Sequence, residues 1–298
     1  MQFQTNPRRA CARRLARSAL LVIALTGCAS PQTKTQPPSP SPAPTPRAAQ
    51  TPPPQPAAGA AARPQTPTET VRAFYAALRE RRLRDAFALS IYKAAVDPLS
   101  AEEFEELRPE FEKLGEAVPE KIEINGEQIS GERATVFARV SAEAGAQPEP
   151  VDLIRVGGAW VVGSAENYDA VRREGKEFFF KARVETHHAE LRKVLDKIAN
   201  AEAVYASQNG GRYAELTALA QSEMGMRLAL REDADAVAAM GYRLTLNVAP
   251  DARSYKVNAE PARYGRTGRL SYYMDATSRQ EKDNGGKPFN PPPAKKKS

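Results

Sequence analysis

One stretch of this chain constrains its fold more than any other. Val184, Leu191, Ile198 and Tyr205 recur every seven residues, with Val194, Leu195 and Ala201 between them. Residues at that spacing share one face of a helix, and a continuous apolar stripe needs a partner to cover it. Asn209-Gly210-Gly211 stops the helix, as glycine past a helix end does. Tyr213 to Leu230 reads as one or two short helices, and Glu232 to Ala239 as a polar loop or helical turn. The period then falls to two. Tyr242, Leu244, Leu246 and Val248 share a face, as do Tyr255, Val257 and Ala259, and then Leu270, Tyr272 and Met274. The expectation is an antiparallel meander of three to four strands laid on the long helix, with its other face wet.

A second folded stretch precedes it. Thr66-Pro67-Thr68-Glu69 is a capping box with proline at the first helical position, which satisfies orphan backbone donors. Val71, Phe74, Tyr75 and Leu78 then mark one helical face, and Leu83 to Tyr92 continues as a second helix. Ser100-Ala101-Glu102-Glu103 opens a third helix, with Phe104, Leu107, Phe111 and Leu114 inward. Its acids Glu102, Glu103, Glu105, Glu106, Glu110 and Glu112 read as a solvated face. Alternation follows through Ile122 and Ile124, then Ala134, Val136, Ala138 and Val140. Val151–Val156 and Ala159–Val162 flank Gly157-Gly158, a two-residue hairpin signal. The fold class is therefore α+β, in two small domains.

The N-terminus belongs to neither. Arg8, Arg9, Arg13, Arg14 and Arg17 precede the apolar run Ser18 to Leu25, with no acid among them. That order is a secretory signal, too short to span a bilayer. The site Leu25-Thr26-Gly27-Cys28 resembles the bacterial lipobox. The resemblance implies cleavage between Gly27 and Cys28, a diacylglycerol on the Cys28 sulfur and fatty acylation, palmitate included. Ala29, where an aspartate would retain the protein at the inner membrane, implies the outer membrane. From Pro31 to Pro67 the chain is Pro, Ala, Thr, Gln and Ser with almost nothing large and apolar. Such a segment cannot offset its chain entropy and is expected to be a disordered tether, reaching on the order of 100 Å at about 3.1 Å per residue.

This organisation changes the charge argument. The full chain carries +7. Removing the five signal arginines leaves +2, and removing Lys34, Arg47 and Arg63 with Lys295, Lys296 and Lys297 leaves −4 on Pro64 to Ala294. Positive charge is thus not clustered on the folded part, which argues against a nucleic-acid partner. Cys11 leaves with the signal, and lipid would occupy Cys28, so no disulfide forms within the mature chain.

Two family resemblances add to this reading. Thr70-Val71-Arg72-Ala73-Phe74-Tyr75-Ala76-Ala77-Leu78, the strand Arg133-Ala134-Thr135-Val136, and the ending Leu153-Ile154-Arg155-Val156-Gly157-Gly158-Ala159-Trp160-Val161-Val162 resemble the lipoprotein branch of the nuclear-transport-factor-like superfamily. The resemblance implies a curved sheet wrapping a helix into a cone, used for binding or, in ketosteroid isomerases, for catalysis. An isomerase-like site needs a base and a hydrogen-bond donor in an apolar cone. The available residues are Asp85, Asp97, Asp152, Tyr75 and Tyr92.

Ile198-Ala199-Asn200-Ala201-Glu202-Ala203-Val204-Tyr205-Ala206-Ser207-Gln208-Asn209-Gly210-Gly211-Arg212-Tyr213, with Tyr213 to Leu219, Gly241-Tyr242, Tyr255 to Pro261, Gly265 to Gly268 and Ser271 to Asp275, resembles the globular half of a type IV pilin or type II secretion pseudopilin. A pilin begins with a prepilin-peptidase site and about 20 apolar residues that hold it in the membrane. Here the preceding segment carries Arg172, Arg173, Glu174, Lys176, Glu177, Lys181 and Arg183. The chain is not expected to insert there, which puts assembly by the pilin route in doubt. Asp275, Asp283 and Asn284 stand near the place of a pseudopilin calcium site, but a calcium cage takes roughly 6–8 oxygen ligands.

His187 and His188 are the chain's two histidines. Neighbours on a helix point in different directions, so they do not pair on one metal. One is expected to border the stripe and the other to be solvated. No metal, cofactor or catalytic set is expected. The organisation expected is a signal peptide at 1–27, a linker at 28–65, a nuclear-transport-factor-like domain at 66–164, a helical connector at 165–185, a pilin-like domain at 186–290 and a polar tail at 291–298. The function expected is that of a non-enzymatic, lipid-anchored envelope protein with a structural or interaction role. Its partners would be the membrane, through the lipid, and other envelope proteins; the pilin-like residues imply pilus or type II secretion machinery. The alternative is a small-ligand-binding or isomerase-like lipoprotein using the first domain's cone.

Overall fold

A computed structural model describes residues 66–116, 118–140 and 147–291. These residues form an α+β protein with two antiparallel four-stranded sheets, each a simple meander. The chain divides into two compact units. One holds the described residues up to Ser90 together with Gly115–Ala165; the other holds Ile91–Leu114 with everything from Glu166 onward.

The first unit opens with α1 (Pro67–Arg79), capped by Thr66 and Glu69 as a complete capping box, and α2 (Leu83–Ala88). The sheet follows as β1 (Glu123–Ser130), β2 (Arg133–Arg139), β3 (Glu149–Val156) and β4 (Ala159–Val162). Ala134, Val136, Val151, Leu153, Trp160 and Val162 are buried with Val71, Phe74, Tyr75 and Leu78 of α1. Gly157 and Gly158, at φ of +58° and +83°, turn β3 into β4, and Val156 pairs with Ala159 across them. Two consecutive residues at positive φ define the hairpin turn that matches the twist of its strands.

The second unit begins with α3 (Lys93–Val96) and α4 (Ala101–Glu116); the helix read from Leu83 to Tyr92 ends at Ala88, and the unit boundary falls between Ser90 and Ile91. Next come α5 (Ala165–Glu174) and α6 (Glu177–Gln208), a single helix of 32 residues. Three short helices, α7 (Leu216–Gln221), α8 (Glu223–Arg227) and α9 (Leu230–Ala239), lead to β5 (Tyr242–Val248), β6 (Tyr255–Pro261), β7 (Leu270–Met274) and β8 (Arg279–Asp283). The stripe performs as its spacing demands. Leu191, Val194, Leu195, Ile198 and Ala201 form one core with Tyr242, Leu246, Tyr255, Val257, Ala259, Tyr272 and Met274. Gly268 permits the closest approach, since a Cβ there would lie 1.9 Å from the Tyr242 hydroxyl. The sheet's other face is partly covered. The Ser271 hydroxyl donates to the Lys287 carbonyl at 2.7 Å, and Asn258 Nδ2 donates to the Phe289 carbonyl at 2.9 Å.

The segment read as a connector, 165–185, is α5 followed by the first turns of α6, and α4 packs on the latter. Phe179 meets Phe111 edge-on at 4.8 Å and Tyr92 at 5.5 Å. Arg183, with 6 % of its side chain exposed, donates from Nη1 to Glu106 Oε1 at 2.8 Å and from Nη2 to Glu110 Oε2 at 2.9 Å. Arg263 also bonds Glu106, while Lys176 and Arg266 bond Glu103. Glu103, Glu106 and Glu110 fall at i, i+3 and i+7 of α4, on one face. The acidic face is therefore an ion-paired contact along half its width. Glu102 and Glu105 alone of the named acids are exposed.

Removing one partner of a buried ion pair strands the other. Arg183→Ala is expected to destabilise the protein by about 3 kcal/mol, and Arg183→Met by less, since Met keeps an apolar stem in the buried space although it loses the guanidinium over the Phe180 ring. Urea unfolding measures both. A loss under about 1 kcal/mol for Arg183→Ala would mean that the pairs are solvent-screened.

Candidate functional site

The lipidation residue Cys28, the cleavage residue Gly27, the linker and the tail beyond Pro291 lie outside the described residues.

The isomerase-like set does not assemble. Tyr75 and Asp85 and Asp152 belong to the first unit, Tyr92 and Asp97 to the second. Asp85 is exposed and paired with Arg82 at 2.8 Å; Asp97 is exposed and paired with Lys93. Asp152 accepts from the Thr135 hydroxyl at 2.9 Å on the sheet face opposite Val151 and Leu153. Tyr75 is buried in the core, where desolvation, with Glu149 adding to it, pushes its hydroxyl above the ordinary range. It lines a recess of about 190 Å³ with Arg72, Arg79, Pro119, Lys121 and Ile122, below the roughly 300 Å³ at which ligand pockets begin. Burial likewise raises Tyr92 to about 12.

The histidines are used to hold backbone. His188 is buried, and its Nε2 accepts from the amides of Arg269 and Leu270 at 3.1 and 3.3 Å. An accepting Nε2 requires the neutral ring with its proton on Nδ1. His187 is half-buried instead of solvated, and its Nδ1 lies 2.8 Å from the Thr267 carbonyl, so that nitrogen carries the proton. Together the two rings pin the β6–β7 connection to α6. They point to separate partners, as adjacent helical residues must.

The calcium-type residues are also separated. Asp275 closes the β7–β8 turn: its Oδ1 accepts from the Thr277 and Ser278 amides at 2.8 Å, and its Oδ2 from the Tyr273 hydroxyl at 2.9 Å. Desolvation works against the charge, but these bonds hold its carboxyl at about 2. Asp283 pairs opposite Leu270, at the far end of the same hairpin, where Tyr264 and Arg269 engage it. Asn284 Nδ2 donates to the carbonyls of Lys287 and Pro288. Among the described residues, no group of three or more His, Cys, Asp and Glu side chains could hold a metal ion, and no helix is long and apolar enough to cross a membrane.

Two features were not singled out from the sequence. One is a cleft of about 750 Å³ among α7, α8 and α9, lined by Leu216, Ala220, Met226, Leu230 and Asp235. Nothing in the pattern of three short helices gives the space between them. The other is Glu202. It falls four residues after Ile198 and three before Tyr205, on the apolar face of α6, and its side chain is completely buried. That position was legible as a charge within the stripe.

In comparisons with known proteins the chain matches no family model, no curated protein and no solved structure. The two resemblances rest on the residues quoted for them.

Burial lowers the pKa of both histidines below the ordinary value, more than their partners raise it. A depressed folded-state pKa favours the neutral ring, so that stability is full above about pH 6.5 and is lost as pH falls through the folded values. The His187→Gln/His188→Gln variant is therefore expected to gain Tm relative to the native chain as pH drops from 7 to 5. A difference in Tm that does not change with pH would contradict neutral, buried rings.

Proposed function

We propose that this is a lipid-anchored cell-envelope protein, exported, held through Cys28 to the outer membrane, and acting as a structural or interaction module without catalysis of its own. The observation that carries the reading is Leu25-Thr26-Gly27-Cys28 placed directly after a basic stretch and a short apolar run. The Pro-rich segment that follows gives the folded units reach from the membrane.

The positions of the candidate acids and tyrosines support a non-enzymatic role. Asp85 and Asp97 are engaged by bases of their own helices, and Asp152 is engaged by Thr135 across the sheet. The pilin-like residues support a role beside pilus or type II secretion components rather than within a filament. A filament subunit packs its helix against neighbouring copies. Here Leu191, Leu195 and Ile198 are already buried against the unit's own sheet, and the segment before them bears charges whose burial unpaired would cost several kcal/mol each.

Metabolic labelling with palmitate tests the anchor. The native chain is expected to take up label and partition with membranes, and Cys28→Ser to lose both and accumulate as precursor. Unchanged labelling of Cys28→Ser would remove the proposal. The purified unlipidated protein is expected to sediment as a monomer or small oligomer at micromolar concentration; regular fibres would make it a filament subunit.

A further inference from the structure

Glu202 is the one acid placed inside the apolar face of α6, fully buried. Its Oε2 accepts from the Ala214 amide at 3.2 Å, and its Oε1 has no partner. The segment it holds joins α6 to α7 and is tied down on both sides. The Gly211 amide donates to the Ala206 carbonyl at 2.8 Å, and the Tyr213 amide to the Ala252 carbonyl at 2.9 Å. Arg253 Nη1 reaches the Gly210 carbonyl at 2.8 Å, and Glu215 Oε1 accepts from the Val248 amide at 3.1 Å. The Tyr213 ring packs on Tyr255 at 4.8 Å. Through this segment the end of α6 is fastened to the β5–β6 turn.

The carboxyl of Glu202 is therefore a structural part of that fastening, and its charge state matters. The groups acting on it across the packing are Glu215, from the segment before α7, and Tyr255, from β6; Tyr213 and Asp275 act in turn on Tyr255. Acids and phenols offer no counter-charge. The nearby arginines, Arg212 and Arg253, are exposed, and Arg253 is spent on Gly210. A neutral carboxyl is tolerable in such a place, whereas a carboxylate with one hydrogen bond is not.

We propose that Glu202 is a proton-operated latch: protonated, it closes the 212–215 segment onto α6, and on losing its proton to solvent it releases that segment and the β5–β6 turn fastened to it. Desolvation raises its pKa to about 7, against the Ala214 hydrogen bond that lowers it. The sign follows from linkage. A folded-state value above the ordinary one means that the closed state is fully favoured below the ordinary carboxyl range and is weakened as pH rises through about 7. The two histidines act with the opposite sign at the other end of the sheet, so a bulk stability curve would mask the latch and a local probe is required.

Trypsin cleavage after Arg212 in the full chain supplies that probe. The ratio of the native rate to the Glu202→Gln rate is expected to grow by about tenfold or more between pH 5.5 and 8, while the same ratio for cleavage after Arg81, in the other compact unit, stays constant. A ratio at Arg212 that does not change with pH overturns the proposal. So does cleavage after Arg212 no faster than cleavage after Lys193, on α6 itself, which would mean that the segment opens only with the whole unit. Should Glu202→Gln not fold, native cleavage after Arg212 relative to that after Arg81 gives the same reading. The carboxyl carbon shift of Glu202 decides independently: a midpoint near 7 supports the latch, and one near the ordinary 4.5 overturns it.

Discussion

The second compact unit depends on one helix having to satisfy two partners. At 1.5 Å per residue, the 32 residues of α6 make a rod of about 48 Å. Its later half carries the stripe that covers the sheet, where each fully buried Leu or Ile contributes about 1.5–3 kcal/mol. Its first half carries Phe179, Phe180, Arg183 and Val184, all buried, and no strand of the sheet answers them in sequence order. α4 and the aromatic residue Tyr92 fill that need. Ile91–Leu114 therefore belongs to the unit built on α6.

Charge decides how α4 docks. The guanidinium of Arg183 lies among apolar side chains, and Arg266 stacks at 3.8 Å over the Phe180 ring. Two cations at an apolar surface need anions at fixed positions. Glu103, Glu106 and Glu110 provide them, and the Glu103 carboxyl is held at about 2 by the Ser100 hydrogen bond, then by Lys176 and Arg266. Such pairs add little net stability against an apolar alternative, but they are costly to break singly. Their effect is to fix which face of α4 meets α6. Exposed charge plays a lesser part at β8. All five of its residues are exposed; its antiparallel ladder with β7 keeps it on the sheet edge, and the exposed pairs of Glu281 with Arg192 at 2.8 Å and of Arg279 with Asp196 on α6 add a smaller contribution.

The sequence was most legible where burial is periodic. The capping boxes at Thr66 and Ser100, the stripe from Leu191 to Ala201, the Gly157-Gly158 turn and the alternation in β2, β5, β6 and β7 can be read from spacing alone. β8, Arg-Gln-Glu-Lys-Asp, has no apolar residue to alternate, so it left no signal. The docking of α4 was invisible for a different reason. Glu106 and Arg183 are 77 residues apart, and a row of glutamates looks the same whether water or an arginine faces it. The histidines were half legible: their divergence follows from helix geometry, but the backbone amides of Arg269 and Leu270 that occupy His188 belong to a loop no pattern places there. The candidate acids of the first unit were named by residue type, and residue type does not report that Arg82, Lys93 and Thr135 already engage them.

If α6 needs both partners, the contiguous piece from Ala165 to Pro291 is incomplete even though it holds the entire second sheet. Thermal unfolding of that piece, alone and joined to Ile91–Glu116, tests this most directly. The piece alone is expected to melt well below the joined form or without a cooperative transition, exposing Phe179 and Phe180. An equally stable, cooperative transition for the piece alone would show that α6 requires only its sheet, and that the packing of α4 is incidental.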